Sequence, residues 1–268
     1  MNKLVMVYAL LLLQVTRLHA AEERRVSGWR RLTSCFPCAG QAAVTAVHPE
    51  VQSVESGTLP PPSIPEPRPT PEEIDELSRQ LWPEVRDKRA GSVRKLLDAF
   101  PDGPEKAAAV NNARDEWGVP VLHNAVAMGS ERIVAALIAA GADVNLKEPF
   151  GQRSPLHGAD DWQIVTRLLD AGADINVASE SGATPLCTFL SRHHNGNWAF
   201  GRRQTFWTFL TRGADVNKYG SYAPLMHAVI GELDECVEEL IAYGADVNAL
   251  SWEGRSALSY ATGRVRKQ

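Results

Sequence analysis

The sequence predicts an all-α solenoid, built from short helix-turn-helix units that stack side by side and project the turns between them. The first observation is a pentapeptide, Gly-Ala-Asp-(Val/Ile)-Asn, which occurs four times and begins at Gly141, Gly172, Gly213 and Gly244. The second is an apolar helical run directly before each copy, and the third is a recurring Pro-Leu start signal. Because the copies start 31, 41 and 31 residues apart, the chain repeats one supersecondary unit.

Each position of the pentapeptide has a physical role at the end of a helix. The Gly follows an apolar run such as Ala136-Leu137-Ile138, so we expect it to end that helix in the left-handed conformation that a Cβ disfavours. The Asp and the Asn have short side chains that bond the nearby backbone in turns. The β-branched residue between them, Val144 in the first copy, is predicted to point inward between units.

The start signal is clearest at Gly182-Ala183-Thr184-Pro185-Leu186, where Thr is a favourable N-cap and Pro is favoured at the first helical position. Variants of it recur at 120–123, 154–157, 222–225 and 256–258. In the regular copies, 19 residues separate the leading Leu from the next motif Gly, as from Leu122 to Gly141. That length fits two short antiparallel helices and a tight turn.

Through these two motifs the chain resembles the ankyrin-repeat family, whose units read Gly-x-Thr-Pro-Leu-His and Gly-Ala-Asp-Val-Asn. The resemblance is specific between Gly118 and Gly254, and it extends less closely to about residue 72 and to the C-terminus. It implies an ankyrin-repeat solenoid that binds other proteins through the residues flanking the turn Gly and through the first helices. It also implies that His123 and His157 are structural residues held by hydrogen bonds.

The predicted array covers 118–268, with units near 118–150, 151–181, 182–219 and 220–253 and a partial unit at 254–268. The second unit is short, because 15 residues separate its His157 from Gly172 where the first unit has 18, so we expect its first helix to lose about a turn. The third unit is long, with 26 residues from Cys187 to Gly213, which predicts an insertion at 191–203.

Two segments are predicted between the N-terminal region and the array. Residues 21–71 are expected to be a disordered linker ending in a Pro-rich run, since dense Pro holds a chain in stiff polyproline II. Residues 72–117 are expected to be an N-terminal capping unit that starts at Thr70-Pro71-Glu72-Glu73. Its outer face must be polar, and Arg94 and Lys95 would supply part of that face.

Residues 1–20 are predicted to be a cleaved signal peptide. A short basic start precedes a 12-residue apolar segment, Leu4 to Val15, which is shorter than the ~20 residues of a membrane-spanning helix. Cleavage near Ala20 predicts a periplasmic or secreted protein with no membrane span. Leu32-Thr33-Ser34-Cys35 resembles a lipid-attachment box, but charged residues separate it from the apolar segment, so a lipid-anchored form is not expected.

The sequence contains no recognisable catalytic or ligand-binding motif. We find no nucleophile elbow, phosphate-binding loop, dinucleotide fingerprint or zinc-ligand spacing, and the adjacent side chains of His193 and His194 seldom converge on one ion. Without residues 1–20 the chain has 26 basic and 32 acidic side chains, a balance that does not suggest nucleic acid. We therefore predict no enzyme activity, no cofactor, no metal and no nucleic-acid partner.

The four cysteines divide into two groups. Cys35 and Cys38 form a Cys-x-x-Cys pair with no strand or helix pattern around it, so a thioredoxin-like site is not predicted, although the pair could oxidise after export. Cys187 lies in the helix-start position of the third unit, and Cys236 lies on an apolar helix face. Both are predicted to be small buried hydrophobes.

The candidate partner-binding residues are aromatic side chains next to the turn glycines. These are Trp117, Phe150, Tyr219 and Trp252. Large rigid rings on exposed turns are typical of protein-binding hot spots, although each ring could instead pack over its neighbouring turn. The insertion in the third unit adds Trp198, Phe200, Arg202 and Arg203 as further candidates, because an insertion that leaves the stack intact is often functional.

Together these features predict a non-catalytic, exported, monomeric scaffold that binds another protein. Two alternatives stay open: an immunity protein against a periplasmic toxin (or an effector acting on host proteins), and an accessory protein of an oxidative-stress enzyme, with Cys35 and Cys38 involved. Neighbouring genes would discriminate between them, since a toxin gene favours immunity and a catalase or peroxidase gene favours the accessory role. The same scaffold serves unrelated partners, so the sequence does not name this one.

Overall fold

The computed structural model describes residues 69–193 and 200–265, all within one compact unit of the chain. In these ranges it has eleven α-helices, one 3-10 helix and no β-strand, with two isolated antiparallel bridges at Arg114–Pro120 and Leu250–Ser256. The helices are α1 (Pro71–Arg86), α2 (Ala90–Asp98), α3 (Pro104–Asn112), α4 (Val121–Ala127), α5 (Glu131–Ala139), the 3-10 helix (Pro155–Gly158), α6 (Trp162–Asp170), α7 (Pro185–Arg192), α8 (Phe200–Thr211), α9 (Pro224–Ile230), α10 (Asp234–Ala242) and α11 (Ala257–Val265).

The helices form two layers of like elements. The first helices of successive units lie next to one another in the order α4, 3-10 helix, α7, α9 and α11. The second helices lie next to one another in the order α2, α5, α6 and α8. The array is therefore a stack of helix pairs with one apolar core between the layers, as the repeated sequence predicts.

The core is filled from both layers by the periodic apolar positions. Phe189 of α7 and Phe206 and Phe209 of α8 are among the largest fully buried side chains. The β-branched residue of the pentapeptide points inward as expected, and Val144 and Val247 are both buried. Cys187 and Cys236 are buried free thiols, which agrees with their predicted role as small hydrophobes.

The four motif glycines end their helices in the left-handed conformation, with φ between 86° and 90°. At the first of them, the Gly141 N–H donates to Ile138 O and the Ala142 N–H to Leu137 O, each at 3.0 Å, so the last turn of α5 is satisfied by the turn itself. The motif Asp then stabilises the turn, since Asp143 Oδ1 accepts from the Asn145 N–H at 2.8 Å.

Asparagine side chains connect each unit to the next, and we call this series the asparagine ladder. In each rung, Nδ2 donates to the motif Gly carbonyl of the next unit and Oδ1 accepts from the N–H of its motif Asp. The rungs are Asn111, Asn145, Asn176 and Asn217, with distances of 2.9–3.3 Å to the carbonyls and 2.7–2.8 Å to the N–H groups. The ladder fixes the register between neighbouring turns.

The N-terminal cap contains one helix more than a unit. Helix α1 begins with a capping box between Thr70 and Glu73, and it packs against α2, α3 and α4, while α2 lies beside α5 in the second-helix layer. The additional helix α3 supplies Asn111, the first rung of the ladder. Ala107 of the same helix lies against Gly141, where an added Cβ would come within 2.7 Å of the Ala107 Cβ.

The short second unit loses most of its first helix, as its length predicts. Only the 3-10 helix Pro155–Gly158 remains, and Asp161 caps α6 by accepting from the Gln163 N–H at 2.8 Å. Arg192 of α7 compensates for the missing turn, since its guanidinium donates to His157 O at 2.9 Å and pairs with Asp160 at 2.9 Å.

The predicted insertion at 191–203 is shorter than the sequence suggests. Helix α8 begins at Phe200, so residues 200–203 form its first turn. The hydroxyl of Thr205, in the next turn of the helix, donates to Asp160 O at 2.7 Å and so ties the beginning of α8 to the second unit. Residues 194–199, including Trp198, lie outside the described residues.

Candidate interaction surface

Three of the four predicted turn aromatics are exposed. Trp117 is 67% exposed, Phe150 58% and Trp252 71%. Their backbones are held in place: the Trp117 N–H donates to Asp115 Oδ1 at 2.9 Å, and the Trp252 N–H donates to Ser221 O at 3.1 Å. All three rings present most of their surface to solvent, and the backbones of Trp117 and Trp252 are held by hydrogen bonds.

Tyr219 differs from the other three and does not fit the exposed surface that the sequence suggests. Its ring is partly buried against the core, and its hydroxyl donates to Leu250 O at 3.2 Å in the following turn. The ring therefore joins two neighbouring turns, so that packing explains its position. We remove Tyr219 from the candidate surface for this reason.

The exposed rings fall into two groups, because the turn of the third unit carries no ring. Gly182 and Gly220 meet there with their backbones in contact, and a Cβ on Gly220 would lie 2.0 Å from Ser181 O. Trp117 and Phe150 therefore lie on the turns before this point, and Trp252 lies two turns after it, beyond the turn that carries the partly buried Tyr219.

The turn that carries Trp252 belongs to an aromatic cluster that the sequence analysis missed. The Trp252 indole donates from Nε1 to the Tyr222 hydroxyl at 3.2 Å, and the Tyr222 and Tyr260 rings lie edge to face with centroids 5.9 Å apart. The Arg255 guanidinium lies 5.8 Å from the Tyr260 ring centroid, within cation–π range. The signal that could have found the cluster is a pair of aromatic residues in successive turns, Tyr222 and Trp252, followed by Tyr260 in the next helix.

The described insertion residues have different environments. Phe200 is 77% exposed at the start of α8. Arg203 pairs with Glu235 of α10. Burial by itself would raise the pKa of Asp160. This pKa nevertheless lies below its usual value, because His193 donates a hydrogen bond to the carboxylate and nearby arginines, including Arg202, carry positive charge. Arg202 and Arg203 are thus engaged within the array, and Phe200 remains as the exposed candidate.

The helix-start histidines are structural, as the family resemblance implies. His123 Nε2 donates to Arg153 O at 2.9 Å, and His157 Nε2 donates to Ala183 O at 3.1 Å, so each ring bonds the next unit just before its N-cap. Burial lowers the pKa of both rings, which keeps them neutral at neutral pH. Cys187 takes the same position in the third unit, with its thiol 3.7 Å from Tyr222 O, and burial raises its pKa.

The described residues contain no group of three or more His, Cys, Asp or Glu side chains arranged to hold a metal ion. Among the same residues, no helix has the length and apolar character needed to cross a membrane. His193 is buried and bonds Asp160 at 3.2 Å, which accounts for one member of the His193-His194 pair.

Comparisons with known proteins agree with this architecture. The family model described as "Ankyrin repeat" matches residues 117–148 and 222–252. The chain carries ankyrin repeats. The ankyrin repeat is a non-catalytic protein-interaction fold, so the described domain is a protein-interaction domain. The two matched segments are the regular first and fourth repeats, whereas the unmatched second and third repeats are the short and the long one.

Two relatives illustrate the range of the similarity. The chain is 29% identical over 189 residues to the B-cell lymphoma 3 protein homolog of Mus musculus, an alignment that covers 67% of this chain and 40% of that protein. Its structure is similar to the crystal structure of an ankyrin repeat domain from Acinetobacter baumannii AYE, with a TM-score of 0.57 and 24% identity, covering 70% of this chain and 92% of that one. The second likeness supports the fold alone.

Proposed function

We propose that this protein is an exported, non-catalytic scaffold that binds a protein partner through the exposed rings of its ankyrin turns. The observation that carries the proposal is the exposure of Trp117, Phe150 and Trp252 on turns that contain a left-handed glycine. Large rigid aromatic side chains bury much surface on binding and lose little conformational freedom, and they dominate many protein interfaces. The side chains of Trp117, Phe150 and Trp252 do not belong to the apolar core of the stack.

The two groups of rings suggest how the partner lies on the array. It would contact the turns of the first two repeats through Trp117 and Phe150 and the last turn through Trp252. The ringless turn at Gly182 would lie between these contacts. Phe200 is a further proposed contact because it is 77% exposed at the entrance to α8.

Site-specific photo-cross-linking tests this proposal. A benzophenone amino acid replaces Phe150 or Trp252 in the full chain, which is expressed in its native host, illuminated and analysed by mass spectrometry. The control positions are Arg79 on α1 and Glu238 on α10, which are exposed but lie on helices away from the turns. We expect one protein to be cross-linked from both turn positions and not from the controls. Cross-linking from the controls alone would contradict the proposal.

The proposed export rests on residues 1–20, which lie outside the described residues. N-terminal sequencing of the protein recovered from its native host should begin near Ala21 or Glu22. A chain that starts at Met1 in the cytosolic fraction would contradict export, but it would leave the binding surface untouched.

A further inference from the structure

We propose that a groove between α2 and α5 binds an acidic amphipathic helix of a partner protein. This groove, which we call the α2–α5 groove, has a volume of about 820 Å³. It lies on the second-helix layer, and neither the turn aromatics nor the first helices line it. The inference is therefore independent of the binding surface proposed above.

The floor of the groove consists of small residues. Helix α5 and the residue that ends it contribute Ala135, Ala136, Ala139 and Ala140, and α2 contributes Gly91. A Cβ built on Gly91 would have no atom within 4 Å, so the space above this residue is open. Small residues let two helices approach to the roughly 8–10 Å between axes at which helices pack. Small side chains on the floor therefore leave space for the side chains of a third helix.

The rim of the groove has more positive than negative charge. Its three carboxylates are each paired with a rim cation: Asp98 with Arg94, Asp102 with Lys106, and Glu131 with Arg167. The fourth cation, Arg132 on α5, is exposed and has no ion pair within residues 69–193 and 200–265. This excess favours an occupant that carries negative charge.

Lys106 gives the groove a buried donor with unused capacity. Its side chain is 8% exposed, whereas the side chain of its partner Asp102 is 98% exposed. The distance from Lys106 Nζ to Asp102 Oδ1 is 2.7 Å. An ammonium group has three N–H donors, and this one makes a single hydrogen bond to the described residues. A carboxylate that enters the groove would accept a second hydrogen bond from an ammonium group already removed from most of the solvent.

A helix fits this site better than an extended strand does. The groove walls are helices, whose main-chain groups bond internally, so they offer no edge to which a strand could add. The groove instead offers two features: small residues over which side chains can pack, and a rim with excess positive charge. An amphipathic helix with Ala or Leu on one face and Asp or Glu at the border of that face is complementary to both features.

A pair of synthetic peptides tests the proposal with the full chain. The first is a fluorescein-labelled helix of about 18 residues, with Ala and Leu on one face and two Glu residues bordering it. The second has Lys in place of both Glu residues. Fluorescence anisotropy should show binding of the Glu peptide and at least about tenfold weaker binding of the Lys peptide. The substitution Arg132→Glu should weaken binding of the Glu peptide about tenfold, and Gly91→Phe should prevent binding by filling the groove.

The control is Arg79→Glu, which makes the same charge change at an exposed residue of α1 outside the groove and should leave binding unchanged. Circular dichroism establishes whether each variant is folded. If Gly91→Phe does not fold, the result for Arg132→Glu alone tests the proposal. Three results would overturn the proposal: no binding of the Glu peptide up to about 1 mM, equal binding of both peptides, or undiminished binding to Arg132→Glu.

Discussion

Gly220 and Gly244 show that glycine is required in these turns for two different reasons. Gly244 has φ +86°, and its Cβ position is empty within 4 Å, so only its left-handed backbone excludes other residues. Gly220 is not left-handed, but a Cβ there would lie 2.0 Å from Ser181 O and 2.8 Å from the Gly182 carbonyl carbon. Its role is to let two neighbouring turns approach closely.

The substitution Gly220→Ala should therefore lower the free energy of unfolding by about 2 kcal/mol or more, because backbone atoms cannot move aside as a flexible side chain can. The measurement is urea unfolding followed by circular dichroism. The matched control is Gly201→Ala in α8, where an added Cβ meets nothing within 4 Å. Helix propensity predicts a gain of up to about 1 kcal/mol for that variant. Equal losses in both variants would contradict this account.

His123 and His157 have the same position in their repeats but different surroundings. Ser154, the N-cap of the second repeat, has its N–H and its hydroxyl each 3.1 Å from His157 Nδ1. In the first repeat the N-cap is Pro120, which has neither group, and His123 Nδ1 is buried without a hydrogen-bond partner among the described residues.

The substitution Pro120→Ser should consequently stabilise the protein. A hydroxyl N-cap contributes about 1 kcal/mol, and pairing a buried acceptor recovers roughly another 1 kcal/mol. Losing the rigidity of Pro costs about 0.4–1 kcal/mol, so a net gain of about 1 kcal/mol is expected. Pro120→Ala is the control, since it restores the backbone N–H but adds no hydroxyl, and it should gain less stability than Pro120→Ser. Thermal unfolding of both variants shows whether each substitution raises or lowers the stability. A loss of stability in Pro120→Ser would contradict the proposed pairing.

The same two histidines predict how stability depends on pH. Burial lowers their pKa below the ordinary value of 6.5, so the unfolded chain takes up protons that the folded chain does not. The free energy of unfolding should therefore fall as the pH drops through about 6.5 toward 5. Urea unfolding across this range should show a smaller fall in His157→Gln, which keeps a donor for Ala183 O but does not titrate. If the free energy of unfolding of His157→Gln falls with pH as steeply as that of the natural protein, these histidines are not responsible for the pH dependence.

At the scale of structural elements, the asparagine ladder should contribute measurably to the coupling between repeats. Asn176→Ala removes two hydrogen bonds to the next repeat, and each is worth about 0.5–1.5 kcal/mol. Asn248 is the matched control, because it occupies the same motif position but has no such bonds within the described residues. Urea unfolding should show a loss of about 1–3 kcal/mol for Asn176→Ala and a change within about 0.5 kcal/mol for Asn248→Ala. Equal effects would contradict the coupling role.

The helix pairs could be predicted from the sequence because their signals are local. An N-cap such as Thr184, a Pro at the first helical position and a motif Gly act within one turn of a helix. Helix α3 could not be predicted in this way. Its Pro104–Asn112 segment has no clear apolar stripe, and contacts with α1 and with Gly141 hold it in place. The start of α8 at Phe200 likewise depends on the bond from Thr205 to the second repeat.

The candidate surface could be predicted only in part, for a related reason. The sequence identifies which turns carry a ring, but the next turn decides whether that ring is covered. Tyr219 and Trp252 lie in similar positions, yet Tyr219 reaches the Leu250 carbonyl of the following turn while Trp252 stays 71% exposed. The charged groove between α2 and α5 is formed by separate segments, and no motif in the sequence indicates it.

At the scale of the whole molecule, the described domain is a linear array in which each repeat contacts mainly its neighbours. Such an array distributes its stability over the junctions between repeats, so a change at one junction should be felt most in the adjoining repeats. The turns are then free to carry residues that stability does not require. Trp117 and Phe150, on one side of the ringless turn, are residues of this kind, whereas Trp252 on the other side also bonds Tyr222.

The most direct test of this account is the affinity of the cross-linked partner for the triple variant Trp117→Ala, Phe150→Ala, Trp252→Ala, measured by calorimetry beside Tyr219→Ala. We expect the triple variant to stay folded, with only a small loss of stability from the indole bond to Tyr222. It should bind at least about thirtyfold more weakly, which corresponds to about 2 kcal/mol. Tyr219→Ala should lose stability through its packing role and bind normally once folded. Undiminished affinity of a folded triple variant would contradict the account.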